Sequence, residues 1–216
     1  NLFHCIGPLD KRKSANLTWD RTIQRMDFGL HEFLWMCDTL NIEPHITLNL
    51  GTSTPEAAAN YVQYCNADTL NYWGKLRAKN GHPKPFNVKY FEIGNEQWDY
   101  DSLYSLIYMD FYNTVKQVDP NTKIIINGNH WLGYENFETL FSTVGENCDI
   151  YGYHPAINAV TKGINNDTVF LNLACQGNLY EEVFFLNIHK WIKEWDLYPK
   201  LKQGLTEWWT NYGTMK

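Results

Sequence analysis

Apolar residues recur along this chain with two periods that take turns. In "FGLHEFLWMCDTL", Leu30, Phe33, Leu34 and Cys37 stand at i, i+3, i+4 and i+7, which predicts an amphipathic helix. "EPHITLNL" then reads as a buried strand stopped at Gly51. Thr54-Pro55-Glu56 supplies an N-cap, a proline for the first helical position and a first-turn acid, and Ala58, Tyr61, Val62 and Cys65 continue as one apolar face. After the Gly, Pro and Asn-rich "KNGHPKPFN" comes the strand "VKYFEIG". A helix marked by Leu103, Leu106, Ile107, Phe111, Val115 and Val118 follows, ended by Asp119-Pro120. The strand "TKIIINGN", a short helix around Phe137, Leu140, Phe141 and Val144, and the strand "CDIYGYH" continue the series. A long Asn-rich loop over residues 157–178 precedes a helix carrying Phe184, Ile188, Trp191 and Trp195, and "KLKQGLTEWW" supplies the last strand.

Five strands, near residues 45–50, 88–94, 123–128, 148–153 and 203–207, therefore alternate with helices. Such alternation makes parallel βα units and an α/β fold. A doubly wound open sheet and a (β/α)8 barrel both satisfy it. The open sheet usually carries a glycine-rich phosphate turn, and this chain has none.

Composition narrows the chemistry. The chain of 216 residues has 44% hydrophobic residues, a formal net charge of −6 and no basic stripe, so a globular chain is expected and nucleic acid is not an expected partner. No apolar run reaches the roughly 20 residues of a membrane span, even "VFFLNIHKWI" being cut by Asn187, His189 and Lys190. The chain is expected to be soluble, in the cytoplasm or secreted; its first residues lack the order of a signal peptide. Five dispersed cysteines without a CxxC pair indicate neither a zinc site nor a disulfide framework, and they read as mostly reduced and buried. Aromatic residues are abundant at 16%; most are expected in the core and on packing surfaces, the remainder being available to form faces on which sugar rings stack.

Polar residues stand at the carboxyl ends of the strands: Asn49 on the first, Asn95 and Glu96 on the second, Asn127 and Asn129 on the third, His154 on the fourth and Glu207 on the fifth. In a parallel barrel these ends open on one face. An Asn after a strand is usually a turn former and a lone His usually a satisfied hydrogen-bonding residue. Two glutamates are harder to explain as structure, because burying a carboxylate costs several kcal/mol unless it is paired. A pair of carboxyl groups suits glycosidic cleavage, one protonated to donate to the leaving oxygen and one ionised to attack or to activate water. "HEFLW" lacks the second His of a zinc protease helix, "GTSTP" is not a GxSxG elbow, and there is no Walker sequence.

With those residues in hand, the chain resembles the glycoside hydrolases of the clan with a (β/α)8 barrel and two catalytic glutamates, above all the family 51 α-L-arabinofuranosidases. The resemblance rests on "GPLDKR" at 7–12, "FGLHEFLWMC" at 28–37, "NLGTSTPEAAANYVQYCN" at 49–66, "LRAKNGHPKPFNVKYFEIGNE" at 76–96, "CDIYGYH" at 148–154 and "LTEWW" at 205–209. It implies that Glu96 is the general acid/base, Glu207 the nucleophile of a retaining double displacement, and Asn95 a hydrogen-bond partner of the sugar 2-hydroxyl. His154 and Asn49 match family positions near the nucleophile and after the third strand. Trp98 and Trp208, beside the two glutamates, are further candidates for contact with the sugar. Two local departures stand out: Ala156 replaces a family tyrosine two residues after the histidine, and "QWDYD" follows Glu96 where the family has a Met-Asp-Gly-Pro-Trp sequence.

On this alignment residues 1–216 form a single incomplete (β/α)8 catalytic domain, strands three to seven of a TIM barrel. The first two strands, the eighth and a C-terminal β-sandwich are expected to be missing, so the partial barrel is incomplete at both ends. Its open edges and exposed inner face predict a marginal or aggregation-prone isolated chain. The expected activity is that of an exo-acting α-L-arabinofuranosidase on plant polysaccharides or oligosaccharides, with no cofactor and a carbohydrate as partner. The oligomeric state is left open. A β-xylosidase or β-glucuronidase of the same clan, and a non-catalytic carbohydrate-binding barrel, are the alternatives.

Overall fold

The computed structural model describes residues 2–16, 22–97, 102–128, 134–154, 156–158, 167–168, 171, 174–175, 185–207 and 209–211. The chain divides into two compact units, Asn1–Gly94 with Ile107–Ile124, and Asn95–Leu106 with Ile125–Lys216.

In the first unit, strands β1 (Ala15–Asn16) and β2 (Ile23–Gln24) form a small antiparallel ladder that the hydrophobic pattern does not announce. Helix α1 (Leu30–Leu40) buries Leu30, Leu34 and Cys37 as its spacing predicts, together with His31. Strand β3 (His45–Leu48) leads to helix α2 (Pro55–Asn66), where Thr54 Oγ1 accepts the Ala57 N–H at 3.2 Å and Pro55 opens the first turn. A further helix, α3 (Tyr72–Lys79), is capped by Asn71, whose side-chain oxygen accepts the Trp73 N–H at 2.8 Å. The sequence reading passes over it because only Trp73, Gly74 and Arg77 of its eight residues are buried, too few for a periodic stripe.

Strand β4 (Tyr90–Ile93) runs parallel to β3 with Leu48 opposite Ile93, and the Gly94 N–H continues the ladder to the Leu48 carbonyl at 3.0 Å. Helix α4 (Ser102–Val118) and strand β5 (Lys123–Asn127) each have residues in both units. The helix buries Tyr104, Tyr108, Phe111 and Val115, whereas Leu103 and Leu106, both assigned to its apolar stripe, are more than half exposed. Apolar residues lie on more than one side of α4, so hydrophobicity alone does not select the buried face.

In the second unit, β5 pairs in parallel with β6 (Ile150–Tyr153), and β6 with β8 (Lys202–Leu205). Helices α5 (Tyr134–Val144) and α6 (Leu186–Glu194) belong to the same unit. Phe137, Leu140, Phe141 and Val144 of α5 are buried as predicted, and Ile188 and Ile192 are the buried residues of α6. Phe137 packs on Phe141, Tyr151 and Trp191 at ring separations of 4.3, 5.6 and 5.6 Å, so part of the aromatic excess is core.

A second parallel pair follows: β7 (Ala156–Asn158) pairs with β9 (Trp209–Asn211). The last strand of the sequence reading is thus two strands, and the long loop begins later than residue 157. Phe184 lies outside the described residues, as does most of that loop. Among the described residues no helix is long and apolar enough to cross a membrane. Cys37, Cys65 and Cys148 are buried and free, and burial pushes the Cys65 and Cys148 thiols up from their ordinary range.

Candidate active site

All of the described acid–base groups of the candidate site belong to the second unit, and each follows a strand or the start of a loop. Glu96 comes two residues after Gly94, which closes β4 at φ +88, and is itself left-handed at φ +49. That conformation is ordinary for glycine and uncommon for a glutamate, costing about 1–3 kcal/mol. The turn is held from below: Oδ1 of Asn127, the last residue of β5, accepts the Gln97 N–H at 3.1 Å. Asn127 is 1% exposed. A buried amide therefore fixes the backbone one residue beyond Glu96.

His154 follows β6 and Glu207 follows β8, and the Thr206 N–H bonds the Tyr153 carbonyl at 3.3 Å between them. Glu207 lies between two strand pairings. Tyr153 stands opposite Leu205 and Ala156 opposite Trp209, so two residues intervene on the histidine strand and three on the glutamate strand. Gly152 makes room for Thr206, since a Cβ there would lie 2.9 Å from Thr206 Cγ2 and 2.8 Å from Ile125 Cγ2.

Three side chains converge. Nδ1 of His154 lies 3.2 Å from Glu96 Oε1 and 3.4 Å from Glu207 Oε2. These three atoms all lie within 4.8 Å of one another. The histidine side chain is 6% exposed, that of Glu96 30% and that of Glu207 52%, so a buried imidazole presents one nitrogen to two accessible carboxylates. With its proton on Nδ1, the ring offers one N–H to both oxygens and fixes their separation. Burial pushes the neighbouring Tyr153 hydroxyl up to about 12, which leaves it neutral.

The other predicted residues fare differently. Asn95 is exposed, and its carbonyl accepts from Gln97 Nε2 at 3.0 Å. Asn49 belongs to the first unit, where its side-chain amide closes a turn: Nδ2 donates to Thr52 Oγ1 at 2.8 Å and Oδ1 accepts the Thr52 N–H at 3.0 Å. This is the turn-forming role that an Asn after a strand usually has. Trp98, Trp208 and Asn129 lie outside the described residues. Residue order marks Asn127 only as a strand-end amide and does not single out Glu92, a 2% exposed carboxylate inside β4 whose Oε2 is 3.0 Å from His45 Nε2. Its signal was a charged residue in the otherwise apolar "YFEI".

Comparison with known proteins adds to this geometry. The sequence pattern of the family described as alpha-L-arabinofuranosidase 1 domain matches residues 3–162, which include Glu96 and His154 but not Glu207. The chain is 34% identical over 147 residues to alpha-L-arabinofuranosidase C of Emericella nidulans, covering 64% of this chain and 29% of that protein. It is 33% identical over 156 residues to an intracellular exo-alpha-L-arabinofuranosidase of Bacteroides ovatus, covering 69% of this chain and 30% of the other. Its fold matches the crystal structure of an alpha-L-arabinofuranosidase from Thermotoga maritima in complex with arabinose, with a TM-score of 0.83 and 26% identity over 98% of this chain and 44% of that one. The alternating parallel α/β architecture is therefore common to both, and the chain spans less than a third of the length of these curated relatives.

Proposed function

The chain belongs to the alpha-L-arabinofuranosidase 1 domain family, and from that premise we propose that it is part of a retaining, exo-acting α-L-arabinofuranosidase. The substrate class is arabinofuranosyl side chains of plant polysaccharides or oligosaccharides. The residues described are strands three to seven of a (β/α)8 barrel in this reading. The observation that carries it is the convergence of two carboxylates on one imidazole nitrogen, with reacting oxygens within 4.8 Å. Retaining enzymes hold their carboxyl groups about 5–5.5 Å apart and inverting ones about 6.5–9.5 Å, so this spacing favours retention.

In the first step the Glu207 carboxylate attacks the anomeric carbon. The bond to the leaving oxygen breaks as Glu96 gives that oxygen its proton. In the second step Glu96 takes a proton from water, and the hydroxide so formed displaces Glu207 from the sugar. His154 keeps both side chains close enough to act on one sugar. Asn95, exposed beside the acid/base, hydrogen-bonds the sugar 2-hydroxyl in this reading.

Hydrolysis of a chromogenic α-L-arabinofuranoside by the complete protein tests the proposal, alongside β-xyloside and β-glucuronide controls. Glu96→Ala and Glu207→Ala are each expected to lower turnover by about 10³-fold or more, with azide restoring activity to the Glu207 variant as a glycosyl azide of inverted configuration. Near-normal rates in either variant, or first-formed arabinose of inverted configuration, would refute the roles.

A further inference from the structure

The same three side chains have the donor set and spacing of a metal site. We propose that Glu96, His154 and Glu207 bind a divalent ion of the Zn²⁺ type, in a state that cannot hydrolyse a glycoside. Ligand atoms bound about 2.0–2.1 Å from a tetrahedral zinc ion stand about 3.3–3.4 Å from one another. His154 Nδ1 is 3.2 Å from Glu96 Oε1 and 3.4 Å from Glu207 Oε2, so two edges of such a tetrahedron are already present.

The third edge, between the two carboxylate oxygens, is at most 4.8 Å. Closing it requires a movement of no more than about 1.4 Å. Glu207, with its side chain 52% exposed, has room to make that movement.

The chemistry selects the ion. One imidazole nitrogen with two carboxylates suits Zn²⁺ and similar transition metals, whereas Mg²⁺ and Ca²⁺ favour shells of oxygen. The nitrogen donor is fixed because His154 is buried, which distinguishes the cluster from a chance chelate of mobile surface groups. Three protein ligands leave a fourth position for water.

Coordination requires both glutamates to be ionised and withdraws the proton that the acid/base role of Glu96 needs. The inhibitory consequence rests on the function proposed above; the binding does not.

Titration calorimetry of the complete protein with zinc chloride provides the test. One ion per chain is expected to bind in the micromolar range, with affinity lowered at least about tenfold in Glu207→Gln and in His154→Gln, and with magnesium chloride giving no saturable heat under the same conditions. Glu207→Gln changes only a half-exposed side chain, so its result does not depend on a refolded core. Absence of saturable zinc binding, or binding that both variants leave unchanged, would overturn the proposal. A complete protein that binds zinc here but hydrolyses no arabinofuranoside refutes the glycosidase reading and leaves the metal site standing, and an active complete protein that ignores zinc does the reverse.

Discussion

Glu96 is held in an unfavourable backbone conformation, and the residue that holds it there is Asn127. The Gln97 N–H that bonds to Asn127 Oδ1 lies one residue beyond the left-handed φ of +49, so losing that acceptor lets the turn relax toward ordinary geometry. Asn127→Leu is expected to lower kcat by about 10–100-fold while KM changes little, because a displaced proton donor affects the transition state more than sugar binding. Steady-state kinetics on the variant checks this; a rise in KM at unchanged kcat would instead make Asn127 a substrate contact. The two glutamates differ in the same respect: Glu96 is held through the backbone beside it, while Glu207 is met through its side chain, Oε2 lying 3.4 Å from His154 Nδ1.

The elements that carry these residues are held by local devices of ordinary size. Thr54→Ala removes the acceptor for the Ala57 N–H at the start of α2 and is expected to cost about 1 kcal/mol, read as a lowered midpoint of urea unfolding at unchanged slope. At the other end of α2, the fully buried Arg77 donates to the Tyr64 and Cys65 carbonyls at 2.8 and 3.4 Å, and also to those of His82 and Pro83. One guanidinium thus satisfies the last turn of a helix and anchors the connection toward β4. Arg12 does similar work before α1, pairing with both oxygens of Glu32 at 2.6 and 2.8 Å while bonding the Gly7 and Met26 carbonyls.

Two groups in the first unit make the whole molecule sensitive to acid. Burial lowers the pKa of His31, whose Nδ1 is 2.8 Å from the Tyr64 hydroxyl. For Glu32 burial acts upward but is outweighed by the hydrogen bonds from Arg12 and the Gly29 N–H, which hold the carboxyl down at about 2. Both groups bind a proton less readily folded than unfolded, so both add stability that increases with pH. The His31 share is complete above about 6.5 and is lost as pH falls below it; the Glu32 share is complete above about 4.5 and is lost as pH falls toward 2. Urea midpoints are expected to fall in two stages on acidification, with His31→Gln flattening the first and Glu32→Gln the second.

Much of this was legible in residue order because it follows from local physics. The period of apolar residues marked α1, α2 and α5, Thr54 and Pro55 opened α2, and polar residues after apolar runs marked the strand ends with Glu96, His154 and Glu207. What residue order left open depends on partners distant in the chain. Which side of α4 is buried, that Asn127 reaches the backbone beyond Glu96, and that one nitrogen of His154 meets two glutamates 58 and 53 positions away are consequences of strand register and packing. A periodic pattern specifies that a face will be covered, and only the folded chain supplies the atoms that cover it.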